Sequence, residues 1–204
     1  MKPGKGVEDM KLTVLGGGGV RSPLLARSIL RQARKLHLSQ VVFMDSDPEK
    51  LRIYGGIARQ VATRIDPGIA FTLTTDPVEA VREADYVITT LRVGQDQGRI
   101  QDERIALELG VLGQETTGAG GFAMALRSIP ALMEYCRLVR LHARPHALVF
   151  NFTNPSGLVT QALRSAGFDN VIGICDGPTE TIHELETLVG AAPGTLEVEC
   201  FGLN

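Results

Sequence analysis

Residues 11–23 of the 204-residue chain read KLTVLGGGGVRSP: a short apolar run, four glycines and a Ser-Pro pair. The run predicts a β-strand that stops at Gly16. Ser22-Pro23 then opens an amphipathic stretch to Leu38, with Ser as N-cap and Pro at the first helical position. Strand, tight loop and helix form the context in which a glycine loop serves a dinucleotide. Gly16 and Gly18 supply the first two glycines of G-x-G-x-x-G, which permit the tight turn and let a pyrophosphate approach the helix N-terminus. Arg21 stands at the third glycine position.

The same unit recurs downstream. QVVFM (40–44) ends at Asp45, and Asp47-Pro48 starts a helix to about Arg64. IAFTLTT (69–75) is followed by Asp76-Pro77, and DYVITTL (85–91) runs into a long polar stretch over 92–121 that holds a helix to about Leu109. ALVFNFT (147–153), a helix from Ser156, VIGIC (171–175) and a helix from Pro178 to Val189 complete the pattern; no element is assigned over 122–146. Short apolar strands alternating with longer helices require crossover connections, hence a parallel sheet covered on both faces. The expected fold is α/β, a doubly wound, mainly parallel Rossmann-type sheet. Residues 1–10 read as an N-terminal extension, 11–193 as the dinucleotide-binding domain and 194–204 as the start of a second, truncated catalytic domain.

Composition narrows the class. Hydrophobic residues make up 44 % and charged residues 22 %, which excludes a disordered tail, a collagen-like fibre or a coiled coil. Lys and Arg number 21 against 23 Asp and Glu, so the charge carries neither a nucleic-acid footprint nor a membrane-binding surface. The 23 glycines exceed the usual share and cluster in loops, where backbone must come close to a ligand. No signal-peptide pattern and no membrane-length apolar window occur, and Cys136, Cys175 and Cys200 form no disulfide framework. The expected compartment is the cytoplasm.

Several residues at strand ends are candidates for chemistry. A carboxylate at Asp45 accepts hydrogen bonds from the adenosine ribose and repels a 2′-phosphate, which favours NAD over NADP; otherwise it is a turn residue beside the Asp47 cap. Asn154, before Pro155, leaves the fifth strand either as a simple turn or beside nicotinamide and substrate. Cys175-Asp176-Gly177-Pro178 ends the sixth strand, its Cys a small buried hydrophobe or a metal ligand and its Asp a helix cap or an acid. Arg92 and Arg99 flank the loop after the fourth strand, either as solvated surface residues or as grips for a cofactor or substrate anion. Glu115, within GQETTGAGG, is either solvated or functional, and His183 reads as an exposed helix residue.

Taken in order and spacing, KLTVLGGGGVRSP, RVGQDQGRIQDERIALELGVLGQETTGAGGFAMALRSIP, NFTNPSG, VIGICDGP and FGLN resemble the NAD- and divalent-metal-dependent glycosidases of glycoside hydrolase family four, most closely the 6-phospho-glucosidases, over nearly all of 11–204. The resemblance implies a cofactor role for Gly16, Gly18, Asp45 and Arg92, and substrate contacts from Arg99 and Asn154. It implies a metal thiolate at Cys175, a general acid at Asp176 and, at Glu115, support for a base that is a Tyr of the family's second half. Mn²⁺ is the implied metal. GGGGVRSP is more like the 6-phospho-β-glucosidases, and Cys-Asp-Gly-Pro departs from the Cys-Asp-Met-Pro of α-specific members, so the β anomer is favoured. The implied reaction oxidises sugar C3 with NAD, removes the acidified C2 proton, expels the aglycone from C1, adds water and returns the hydride; the family is an exception to two-carboxylate hydrolysis. The implied partner is a small phosphorylated sugar, with no nucleic acid and no membrane, in a homo-oligomer when full length. The alternatives are a 2-hydroxyacid dehydrogenase, to which GQETTGAGG is foreign, and a non-catalytic dinucleotide-binding module.

Overall fold

The alternating elements form one six-stranded sheet in the computed structural model, which describes residues 9–199. Strands β1 (Met10–Leu15), β2 (Leu38–Met44), β3 (Ala70–Thr74), β4 (Tyr86–Thr89), β5 (Leu148–Asn151) and β6 (Val171–Gly173) lie in the order β3-β2-β1-β4-β5-β6. Every neighbouring pair is parallel. Strand order reverses between β1 and β4, the switch point where doubly wound sheets open a crevice at their carboxyl edge. The expected Rossmann-type fold is therefore the observed one. β1 begins at Met10, one residue before the expected start of the domain, and FGLN and Cys200 lie outside the described residues.

Side-chain alternation along the strands divides the core into two layers. Leu12 and Val14 of β1 and Val41 and Phe43 of β2 meet α1 (Ser22–Gln32) and α3 (Gly56–Ile65) through Ala26, Ile29, Leu30, Ala58 and Ala62. On the other face Leu15, Met44, Val87 and Val149 meet α4 (Pro77–Val81), α6 (Gly118–His142) and α7 (Ser156–Ser165). Thr13, on that second face, is fully buried and donates to the Ala80 carbonyl at 2.6 Å, tying the central strand to α4. Full burial of a side chain such as Phe43 or Leu132 contributes roughly 1.5–3 kcal/mol, so the two layers hold the helices against the sheet.

Three local expectations differ from the structure. The helix after Asp47 comprises α2 (Pro48–Lys50), a π-helical turn (Leu51–Gly55) and α3 in succession. Asp47 caps it as expected, accepting from the amides of Glu49 and Lys50. Ser22 is the first helical residue of α1 and not its N-cap; Arg21 occupies the cap position, no side chain caps the helix, and the helix stops at Gln32, ahead of Leu38. Residues 118–142, largely without an assigned element in the sequence, form the 25-residue helix α6, which runs through the exposed Pro130. No helix among the described residues is long and apolar enough to cross a membrane.

Candidate active site

Parallel strands bring all their carboxyl ends to one edge, so the loops after β1, β2, β4, β5 and β6 converge there. After β1 the backbone turns under steric constraints that only glycine meets. Gly16 has φ +98°, and a Cβ there would lie 2.4 Å from the Thr90 carbonyl oxygen. A Cβ on Gly17 would reach 2.6 Å from Phe43 Cβ, and one on Gly18 would reach 2.8 Å from the Asp45 carboxylate. The Gly18 amide donates to Asp45 Oδ2 at 2.8 Å, and the Asp47 amide donates to Oδ1 at 3.0 Å. Gly16, Gly18 and Asp45 thus form one structure: the carboxylate is fixed against the loop it was expected to serve.

A second cluster gathers the residues after β4. Arg92 Nη2 lies 2.8 Å from Glu115 Oε1 without the alignment of a hydrogen bond, so that contact is an ion pair. Arg99 Nη1 lies 3.5 Å from Glu115 Oε2, and Arg99 Nε donates to Glu103 at 2.7 Å. The two carboxylates hold the Arg99 guanidinium pKa above its ordinary value, Glu103 through its hydrogen bond first. Glu115 is seated by the glycines after it. A Cβ on Gly120 would lie 2.3 Å from the Gln114 carbonyl oxygen and one on Gly121 2.5 Å from the Thr116 carbonyl carbon. The GAGG run therefore lets segment 114–116 lie across the first turn of α6 and carries the carboxylate between both arginines.

β5 and β6 complete the edge. The buried Asn151 accepts from Thr89 Oγ1 at 2.9 Å, and buried Thr153 accepts from the Leu91 amide at 2.9 Å, joining the ends of β4 and β5. Neither residue stood out in the sequence, although both lie within the NFTNPSG stretch. Asn154 is half-buried, precedes a cis peptide bond to Pro155 and has no side-chain hydrogen bond among the described residues. Cys175 is exposed, with its sulfur 4.0 Å from Asp176 Oδ1. Arg21 Nη1 reaches Asp176 Oδ2 at 3.4 Å, so the residue at the third glycine position spans from the β1 loop to the β6 end. No group of three His, Cys, Asp or Glu side chains among the described residues is placed to hold a metal ion.

A model of the family 4 glycosyl hydrolases matches residues 11–191. The chain belongs to that family. Among these glycosyl hydrolases, the 6-phospho-beta-glucosidase BglT of Thermotoga maritima is 37 % identical over 198 residues, which are 96 % of this chain and 46 % of that one. The crystal structure of the Thermotoga maritima 6-phospho-beta glucosidase with NAD and glucose-6-phosphate superposes with a TM-score of 0.82 at 35 % identity, covering 90 % of this chain and 44 % of that one. A 6-phospho-alpha-glucosidase from gut microorganisms, in complex with NAD and Mn²⁺, superposes with a TM-score of 0.85 at 30 % identity, covering 91 % and 42 %. The chain spans less than half the length of these family 4 relatives.

Proposed function

We propose that the full-length protein hydrolyses 6-phospho-glucosides, the β anomer preferred, in an NAD- and divalent-metal-dependent reaction, and that residues 11–193 form its dinucleotide-binding domain, with a second domain starting at 194. The observation that carries this reading is the pair of arginines, Arg92 and Arg99, converging on Glu115 beside a glycine loop closed by Asp45. A dehydrogenase of small acids needs an anion grip but not a half-buried carboxylate between two cations. A sugar phosphate can exchange with Glu115 for the Arg99 guanidinium, and a cofactor anion for that of Arg92.

NAD fits the residues present. The cradle over Gly16, Gly17 and Gly18 is space that a Cβ would fill, and no side chain caps the N-terminus of α1, which leaves that end of the helix open to a pyrophosphate. Asp45 would receive the ribose hydroxyls, and Arg92 borders the same crevice. Bound there, NAD supplies a reversible hydride acceptor for a sugar carbon. Arg99 and Asn154 would orient the sugar, Asp176 would hold the proton destined for the leaving group, and Glu115 would orient the base side of the site.

Manganese fits only in part. Among the described residues Cys175 is the thiol at this edge and Asp176 its neighbouring carboxylate, so no step is derived through the ion. Free Cys136 and Cys175 support a cytoplasmic setting. The exposed Leu107, Leu109 and Leu112, between 65 % and 75 % accessible, support homo-oligomerisation of the full-length protein.

The test is hydrolysis of chromogenic 6-phospho-β- and 6-phospho-α-glucosides by the full-length protein. Turnover is expected only with both NAD and a divalent metal, and faster on the β substrate. Turnover that survives removal of both cofactors, or net NADH accumulation with a 2-hydroxy acid, overturns the reading.

A further inference from the structure

Helix α5 (Gln95–Glu108) carries Arg99, yet it is seated unlike the other long helices. Only Asp102 and Ala106 of its residues are buried, while Ile100, Ile105 and Leu107 face outward at 48 %, 47 % and 65 % exposure. No apolar stripe fixes its rotation. Arg127, from α6, does so with charge: Nη1 donates to Asp102 Oδ1 at 2.8 Å, and Nη2 donates to Asp102 Oδ2. The same guanidinium donates from Nε to the Val93 carbonyl at 3.4 Å.

The loop before α5 is shaped to admit that group. Gly94 has φ +84°, and a Cβ there would lie 3.1 Å from Arg127 Nε; a Cβ on Gly98 would lie 3.2 Å from Nη2. The side chain therefore holds both ends of the segment bearing the candidate grip. Val93 is the neighbour of Arg92, and Asp102 lies about one helical turn beyond Arg99. A buried ion pair is a weak source of net stability, because desolvation offsets its Coulomb gain. A two-pronged guanidinium–carboxylate contact is directional, however, and allows neither slide nor rotation of the helix it grips.

We propose that Arg127 and Asp102 are positioning residues: their ion pair sets the rotation of α5, and so places the Arg99 guanidinium group for a phosphorylated sugar. The inference rests on the functional reading above for its ligand, but not for its mechanical content. Substrate binding weakens when the pair is broken, while the dinucleotide cradle, built on β1 and β2, does not change.

The experiment compares Arg127→Met, Arg127→Lys and Asp102→Asn with the wild-type full-length protein. Hydrogen–deuterium exchange over 92–108 is expected to accelerate in each variant and to stay unchanged over β1 and α1. Calorimetry should show glucose 6-phosphate affinity of the NAD-loaded protein falling about tenfold or more, KM rising in parallel and kcat and NAD affinity staying within about threefold. Lys keeps the charge but not the fork, so Arg127→Lys gives the same readout if Arg127→Met fails to fold. Wild-type exchange and affinity in the variants would overturn the inference, as would joint loss of NAD and sugar phosphate binding with a lowered Tm. If wild type itself ignores glucose 6-phosphate, the functional reading fails, and the exchange data still decide the positioning role.

Discussion

The two halves of the sheet build the loops at their carboxyl edge by different means. In the first, α1 and α3 are seated by aliphatic side chains against Val41 and Phe43, and the crevice wall is backbone, bent where a Cβ cannot fit. In the second, α5 is seated by the Asp102–Arg127 ion pair, and the wall consists of side chains, Arg92, Arg99 and Glu115, that bridge one another. A backbone-built wall presents its amides in one arrangement to whatever phosphate arrives. A wall of bridged charges can reopen, because each arginine leaving Glu115 for a ligand anion replaces one ion pair with another.

The sharpest way to break the first half of that comparison is Gly16→Val. A β-branched residue at φ +98°, with its Cβ 2.4 Å from the Thr90 carbonyl oxygen, forces the β1 loop away from β4. NAD binding by calorimetry should fall by at least about a hundredfold, with a lower Tm, since strain and overlap together cost several kcal/mol. Gly56→Ala is the control, because nothing lies within 4 Å of its added Cβ and it sits inside the continuous helical run capped by Asp47; it should be neutral or stabilising by about 0.5–1 kcal/mol. Wild-type NAD affinity in Gly16→Val would show that the cradle is not set by backbone.

Cysteine chemistry separates seat from edge within the second half. Cys136 is 3 % exposed inside α6, and burial pushes its thiol up to about 11, whereas Cys175 is exposed at the end of β6. Alkylation of the native protein at pH 8, followed by mass mapping, should label Cys175 at least about a hundredfold faster than Cys136. Because the folded Cys136 pKa is raised, its contribution to stability is intact below the ordinary thiol value and is lost as pH rises through about 11. Equal labelling would mean that α6 opens as readily as the edge it supports.

Asp45→Asn is a milder change. The amide oxygen can still accept from Gly18, but the charge that favours ribose hydroxyls over a 2′-phosphate is gone. NAD affinity should fall about tenfold and the preference over NADP should shrink, the scale of one hydrogen bond to a charged group. An unaltered ratio of the two affinities would remove Asp45 from cofactor selection.

The same division explains what could be read from the sequence. The strands, the Asp47-Pro48 and Asp76-Pro77 starts, the parallel sheet and the glycine loop all rest on local patterns, and each is where the sequence placed it. Ser22 misled because a Ser-Pro pair usually marks a capped start, whereas this helix begins open at the crevice. Helix α6 was obscured by its own functional features. Gly118 to Gly121 read as loop because glycine weakens helices, yet Gly120 and Gly121 serve close packing against 114–116, and Pro130, of a residue type that disfavours helix interiors, sits on the exposed side of the helix. Glu115, Arg92 and Arg99 could be singled out as residue types, but their convergence could not, and the Asp102–Arg127 pair, 25 residues apart, follows no helical or strand period.

The smallest expected effect lies at the end of α8 (Gly177–Val189), and it tests whether a bridged charge can also fix the chain that leaves the sheet. Glu186, 3 % exposed, receives His183 Nδ1 at 3.0 Å and the backbone amide of Gly194, which fold the segment after Gly190 back onto the helix. The His183 hydrogen bond, followed by the Gly194 amide, holds the carboxyl below the ordinary glutamate value of 4.5. A lowered folded pKa means that the unfolded chain binds the proton first, so the stabilisation is complete above 4.5 and is lost as pH falls through the folded value. Glu186→Gln should therefore speed hydrogen exchange over 191–196 at neutral pH, and the difference from wild type should shrink on acidification below 4.5. A difference that persists unchanged at acid pH would assign the anchoring to packing of the side chain and leave its charge no part in it.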